Sequence, residues 1–309
     1  MANIAWRIGD FTITRLFEVG EQQPNPGGGP QSLLPHAYPE AIKAIPWMAP
    51  DWADENGYLR MSLHALLVEA DGFKLIVDTC VGNHKPRKFP ALSMLQTGFL
   101  NDLEAAGWSR LDVDGVICTH LHVDHVGWNT MLHDGQWVPT FPKARYYMGR
   151  EELDFALAEL DSTTEGGNLF TADSKACFLD SVKPVIDAGL HEAVESNAQI
   201  RDGIRLMPTP GHTPGHVSVI LESNGERAVI TGDMMHHPCQ IAHPEWSSIA
   251  DHDPERSHAS RLSFLDGLAD TQTLVIGTHF GGPTAGCVYR EGQQFWFDGR
   301  GKALRYRLA

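Results

Sequence analysis

His120-Leu121-His122-Val123-Asp124-His125 is the stretch that decides the reading of this chain, and it directly follows the apolar run DGVICT at 114–119. In extended backbone the side chains alternate with period two, so His120 and His122 would share a side, with Asp124 after them. A turn at this point would swing His125 inward as well. Either way the segment can offer ligands to two adjacent metal ions, and Gly127 is expected to permit the turn that follows. Working outward, three more apolar runs end in the same manner: IRLMPTPG leads to His212, RAVITG to Asp233 and TLVIGT to His279. Sites in α/β sheets form where strands end and loops converge. One histidine at a strand end is unremarkable, but four endings that are all His or Asp form a pattern. His212 lies in the Pro/Gly turn TPGHTPGH (209–216), whose few accessible conformations suit the aiming of one imidazole. His216 is read as supporting that turn rather than as a ligand.

The remaining composition sets bounds. The 309 residues are 42% hydrophobic and 20% charged, which suits a globular protein with ample core. A formal net charge of -15 would repel a phosphate backbone, so nucleic acid is excluded as the expected partner. Five cysteines, at 80, 118, 177, 239 and 287, are odd in number and widely spaced, as expected of reduced thiols in a cytoplasmic protein. Neither a secretory leader nor a membrane span is expected, because no basic start precedes a long apolar run. An all-imidazole and carboxylate ligand set suits zinc, with iron, manganese or cobalt as alternatives.

Along the chain, 7–19 alternates like a strand, and LHALLVEADGFKLIVDTC reads as a hairpin turning at Asp71-Gly72. Helices are expected at 91–107, 150–160 and 254–269, strands at 203–208, 216–222 and 227–231, and loop at 161–180. The segment 20–60, with PNPGGGP, Trp47, Trp52 and Tyr58, reads as an irregular excursion too aromatic for a simple linker. It is expected to cap a pocket, to meet a second subunit or to pack on the surface.

HLHVDH, the PGH turn, TGD and TH together resemble the metallo-β-lactamase superfamily over roughly 60–282. The resemblance implies an α/β (αβ/βα) sandwich of two mixed sheets packed face to face, with helices on the outer faces. It implies one domain over 1–309, with the excursion at about 20–60 and a long insertion at about 126–211. It further implies that His120, His122 and His212 hold one metal, that Asp124, His125 and His279 hold another, and that Asp233 bridges them. Asp78 resembles the family's supporting aspartate. Two such ions about 3.5–4 Å apart can lower the pKa of a shared water from 15.7 toward about 7, giving hydroxide for attack on an ester-like centre. Asp124 and Asp233 are then the catalytic carboxylates.

The bridging aspartate sets the chain apart from the true β-lactamases of the superfamily. The layout is similar to the branch containing N-acyl homoserine lactonases and methyl parathion hydrolase. A lactone or carboxylic ester is therefore the expected substrate. A phosphotriester or aryl ester hydrolase is the alternative, and a mononuclear iron persulfide-type dioxygenase a further one. A homodimer is expected by the same resemblance. His64, Trp128, Met234, His236, His237, Cys239, His243 and Phe280 lie close to motif ends and are candidates for lining the cleft.

Overall fold

The computed structural model describes residues 4–20, 27–161 and 172–308. The chain is mixed α/β, with several sheets and few helices. It forms two compact units, one gathering Phe11–Val19 and Leu63–Ser196, the other Ile4–Asp10, Gly20–Ser62 and Asn197–Ala309.

In the first unit the sheet neighbours run in the order Phe11–Gly20, Ser62–Ala70, Phe73–Val77, Gly115–Cys118, Arg145–Gly149, His191–Val194. The expected hairpin is present: Asp71 and Gly72 take φ of 52° and 74°, the two positive values that a tight twisted hairpin requires. From Phe73–Val77 onward the strands are parallel. Asp78 and the residues after Cys118 therefore leave the sheet at the same end, which is how a parallel sheet gathers a site. Leu67, Ile76, Val116, Phe99, Leu103, Phe141 and Tyr146 are buried in this unit's core. The helix expected at 91–107 is shorter, Phe99–Ala105, and the chain turns at Gly107 with φ 84°. Helix Arg150–Asp161 follows its strand directly.

The expected loop at 161–180 is only partly one. Residues 162–171 lie outside the described residues, whereas Ser174–Cys177, Phe178–Val182 and Lys183–Asp187 are helical. The middle piece is a π-helical turn, and the segment buries Cys177, Phe178, Val182 and Val185. A π turn shifts the apolar spacing away from 3.6 residues, so the helical period is not visible in the sequence. The stretch 126–211 supplies Arg145–Gly149 and His191–Val194 to the first unit's sheet and Gln199–Arg201 and Ile204–Pro208 to the second's.

The second unit's sheet runs Gln199–Arg201, Ile204–Pro208, Val217–Ser223, Glu226–Ile230, Leu274–Ile276, Ala285–Glu291, Gln294–Asp298. Only Glu226–Ile230 and Leu274–Ile276 pair in parallel. Asp233 and His279 consequently follow the same end of two adjacent strands. Helix Pro254–Leu268 starts as its sequence predicts, with Pro254 in the first turn and Asp253 capping the Arg256 N–H at 3.0 Å.

Of the excursion at 20–60, the described residues 27–60 contribute to the core. Leu34, Ile42, Met48 and Trp52 are buried, and the Trp52 ring lies 5.1 Å from Phe297 and 6.1 Å from Phe280. The strand expected at 7–19 divides into Ala5–Ile8 and Phe11–Gly20 at Gly9, whose φ is 53° and where a Cβ would meet Ser223 O at 2.5 Å. Among the described residues no helix is long and apolar enough to cross a membrane.

Candidate functional site

The first unit carries His120, His122, Asp124 and His125. Its strand stops at Cys118, and 119–126 is a turn rather than extended backbone. His125 N–H donates to His122 O at 3.1 Å, closing that turn. Convergence of the histidines therefore comes from the turn, not from strand alternation: the His120 ring lies 4.6 Å from His122 and 4.1 Å from His125. Asp124 Oδ1 stands 3.7 Å from His125 Nε2.

The turn is held from behind. Asp78, at φ 57°, accepts the Thr119 N–H and Thr119 hydroxyl at 2.8 Å each, and its Oδ2 lies 2.8 Å from His125 Nδ1. The Leu121 N–H donates to Glu152 at 3.1 Å. The segment 79–82 lies against 125–128, with Thr79 N–H to His125 O at 2.6 Å, Gly127 N–H to Cys80 O at 2.7 Å and Trp128 N–H to Thr79 O at 2.8 Å. Gly127 is needed here for its missing side chain, since a Cβ would sit 1.9 Å from Val81 O. It is absent from the residues of positive φ, so the expected conformational reason does not apply.

The second unit carries His212, Asp233 and His279. Gly211 has φ 134°, and a Cβ there would lie 2.1 Å from Ser257 N, so the PGH turn demands glycine. His212 Nε2 lies 3.5 Å from Asp233 Oδ2, and His279 Nε2 lies 3.0 Å from Asp233 Oδ1. His236 joins them, its Nε2 3.3 Å from the same Oδ2. His212, Asp233 and His236 place ligand atoms within 4.8 Å of one another. His216 has both nitrogens engaged: Nε2 accepts the Asp233 N–H at 2.8 Å and Nδ1 lies 3.1 Å from Thr209 O.

Ring protons test whether these residues suit a metal. Asp78, Asp251 and the Ser62 carbonyl can only accept, so each fixes a proton on the Nδ1 it faces: His125 at 2.8 Å, His212 at 3.0 Å and His279 at 3.3 Å. In the neutral ring each Nε2 then presents a lone pair. In the second unit the lone pairs of His212 and His279 point at the lone pairs of the Asp233 carboxylate. Such an arrangement repels unless a cation lies among the atoms, and an acceptor behind each imidazole is what metal sites use to orient their ligands. Oxygen and imidazole donors fit zinc and its neighbours.

Burial pushes the Asp251 carboxyl up, but the His212 hydrogen bond and nearby imidazoles more than offset it, leaving it below its ordinary range. Asp251 was not visible in the sequence as a site residue, since nothing in IADHD marks it. The suggested cleft residues divide. His236 lies at Asp233, whereas Trp128 stacks on Phe99 at 5.2 Å and donates to Glu18 at 2.6 Å. Met234, Cys239 and Phe280 belong to the second unit's core. Burial holds His237 down at about 4, and its Nε2 lies 2.8 Å from Trp52 O. His243 stacks on Trp246, and His64 is buried. All five cysteines are buried and free of disulfides, and burial raises the Cys177 thiol to about 12.

The model of the metallo-beta-lactamase superfamily matches residues 61–270. The chain belongs to this superfamily. Among curated superfamily relatives, it is 25% identical over 134 residues to an N-acyl homoserine lactonase of a Bacillus species; the alignment covers 42% of each protein. It is 25% identical over 195 residues to a probable metallo-hydrolase of Mycobacterium tuberculosis, covering 56% of this chain and 57% of that one. The chain thus matches well under two thirds of these relatives' lengths. Among solved structures, the hydrolase AbOPH of the beta lactamase superfamily aligns with a TM-score of 0.78 at 24% identity, over 96% of this chain and 97% of that one. AidC, a dizinc quorum-quenching lactonase, aligns with a TM-score of 0.71 at 21% identity, over 96% of both chains. At these identities the structures establish the shared fold.

Proposed function

We propose that this superfamily hydrolase uses two divalent metal ions, zinc by preference, to open a lactone or carboxylic ester. His120, His122 and His212 would hold one ion, Asp124, His125 and His279 the other, and Asp233 would serve both. The observation that carries this reading is the pair of imidazoles, His212 and His279, that aim Nε2 lone pairs at the Asp233 carboxylate while a separate acceptor holds each Nδ1 proton. When bound, the ions supply an activated water at neutral pH and polarise the substrate oxygen.

The chain's own residues do the rest. Asp233, fixed by the Thr278 hydroxyl at 3.1 Å, keeps its carboxylate in one orientation. Asp124 moves the proton, taking it from the attacking water and returning it to the departing alkoxide as the acyl–oxygen bond breaks. Asp78 and Asp251 keep the His125 and His212 rings in one tautomer. The lactonase names of a curated relative and of a structural neighbour favour a lactone among esters. The five buried cysteines, none in a disulfide, favour the cytoplasm. The partner set of this reading is a small ester or lactone substrate and a second copy of the chain, without nucleic acid or membrane.

The test is a hydrolysis screen of metal-replete protein on acyl lactones, aryl esters, phosphotriesters and a β-lactam, beside metal analysis. Lactone turnover with two zinc equivalents is the expected result. Preference for phosphotriesters would move the substrate class. One iron with oxygen uptake and no hydrolysis would overturn the reaction class. Light scattering tests the dimer separately.

A further inference from the structure

Among the described residues of the second unit, the rings of His212, His236 and His279 lie against the Asp233 carboxylate, and His212 and His279 have their outer nitrogen held by an acceptor. His212 Nδ1 is matched to Asp251 and His279 Nδ1 to Ser62 O. His236 differs. Its Nδ1 is buried and has no hydrogen-bond partner among the described residues, although the ring is 2% exposed. Nothing fixes a proton on that nitrogen. Its Nε2 lies 3.3 Å from Asp233 Oδ2, within reach of a donated hydrogen bond. The backbone is anchored on the other side, where the His236 N–H donates to Gln240 Oε1 at 2.7 Å. The ring lies parallel to His279, 3° between planes and 5.8 Å between centroids, and edge-on to His212 at 4.9 Å.

We propose that His236 is a positioning residue rather than a metal ligand: it carries its proton on Nε2 and donates it to Asp233 Oδ2. The carboxylate is then held from two sides, by the Thr278 hydroxyl on Oδ1 and by His236 on Oδ2. A carboxylate shared between ions must keep its plane and both oxygens in register, and a donor on each oxygen does that. The alternative is that His236 completes a ligand triad with His212 and Asp233, which their spacing alone would allow. The ring-proton pattern separates the two, because the second unit's two proposed ligands, His212 and His279, have an acceptor behind Nδ1 and His236 does not. This inference rests on the two-ion reading for its consequence but not for its geometry, which lies wholly in the second unit.

The experiment has two arms. In the first, His236→Leu and His236→Gln are compared with wild type by chelator competition and by the visible spectrum of the Co2+-loaded proteins. Loss of a residue that holds a metal ligand in place typically weakens binding about 10–100-fold, so the Leu variant is expected to bind metal weaker by that factor, with wild-type stoichiometry and Co2+ band intensity at saturation. The Gln variant, which keeps a donor, should recover most of that loss. One ion fewer, or bands altered in the Leu variant, would make His236 a ligand and overturn the proposal; unchanged affinity would overturn it too, by showing that His236 does not steady the site. In the second arm, the ring nitrogens of wild-type protein labelled with 15N-histidine are read by NMR, both metal-free and zinc-loaded. His236 should be the Nε2–H tautomer in each, and an Nδ1–H ring would overturn the proposal even if the Leu variant does not fold. Wild type that binds fewer than two ions would defeat the two-ion reading instead, while the metal-free tautomer still decides the role of His236.

Discussion

Gly127→Ala should damage the chain severely although it adds one methyl group. The Cβ would stand 1.9 Å from Val81 O, 2.0 Å from Val81 C and 2.6 Å from Cys80 O, all backbone atoms that cannot rotate away. Relief requires the 79–82 and 125–128 segments to part by more than an ångström. That movement breaks the bonds from Gly127 N–H to Cys80 O at 2.7 Å and from Trp128 N–H to Thr79 O at 2.8 Å. Overpacking costs about 1–3 kcal/mol, and two lost buried backbone bonds add about 1 kcal/mol each. The sum, about 3–5 kcal/mol, corresponds to a fall in Tm of roughly 5–8 °C for a chain of 309 residues, at about 2.1 cal/mol/K of unfolding entropy per residue. Calorimetry on matched samples with chelator present reads this without a contribution from metal. Gly267→Ala is the control: it lies within helix Pro254–Leu268, and its Cβ would meet nothing within 4 Å. That substitution should raise stability by about 0.4–1 kcal/mol. If Gly127→Ala melts within about 2 °C of wild type, the close approach of these segments is not what holds the motif.

Two further expectations concern buried charge. Asp251 accepts from His212 Nδ1 with Oδ1 and from the Ser248 N–H with Oδ2 at 3.0 Å each, and an asparagine offers only one oxygen to these two donors. Asp251→Asn should therefore weaken metal binding about 10–100-fold by chelator competition, and wild-type affinity in the variant would contradict the tautomer assigned to His212. Lys85 is buried beneath Trp137, 3.8 Å from ring centroid to Nζ, and donates to Thr130 at 2.8 Å. Burial lowers it from 10.5 to about 8, with Asp180 opposing the shift. A folded pKa below the unfolded one means that the unfolded chain binds the proton more tightly. The penalty is thus complete below pH 8 and relieved between about 8 and 10.5, a span of about 3 kcal/mol. Denaturant melts of Lys85→Met and wild type should show the variant's relative stability falling by that order as pH rises through this window; a pH-independent difference would refute the assignment.

What the sequence reveals of this site, and what it conceals, follows from where each partner comes from. His120, Asp233 and His279 are legible because each closely follows a local apolar run, and the strand that leads to it is written in the preceding residues. Asp78 is legible for the same reason, at the end of LIVD. Asp251 is not, because it meets His212 from a segment without periodicity. Ser62 is less so, since its contribution to His279 is a backbone carbonyl, a group every residue possesses. Gly127 was visible as a glycine, but its reason was not: the clash that forbids a side chain involves Val81, far away in sequence and adjacent only after folding. The same limit applies to 20–60, where aromatic content signals packing without saying that Trp52 meets both Phe280 and Phe297. The consequence for chemistry is sharpest at Asp233. Residue type makes His212, His236 and His279 equivalent candidates. They become different only through the acceptors behind their rings, which decide where each proton sits. Proton placement, rather than the presence of an imidazole, therefore separates a residue that can hold an ion from one that steadies the carboxylate beside it.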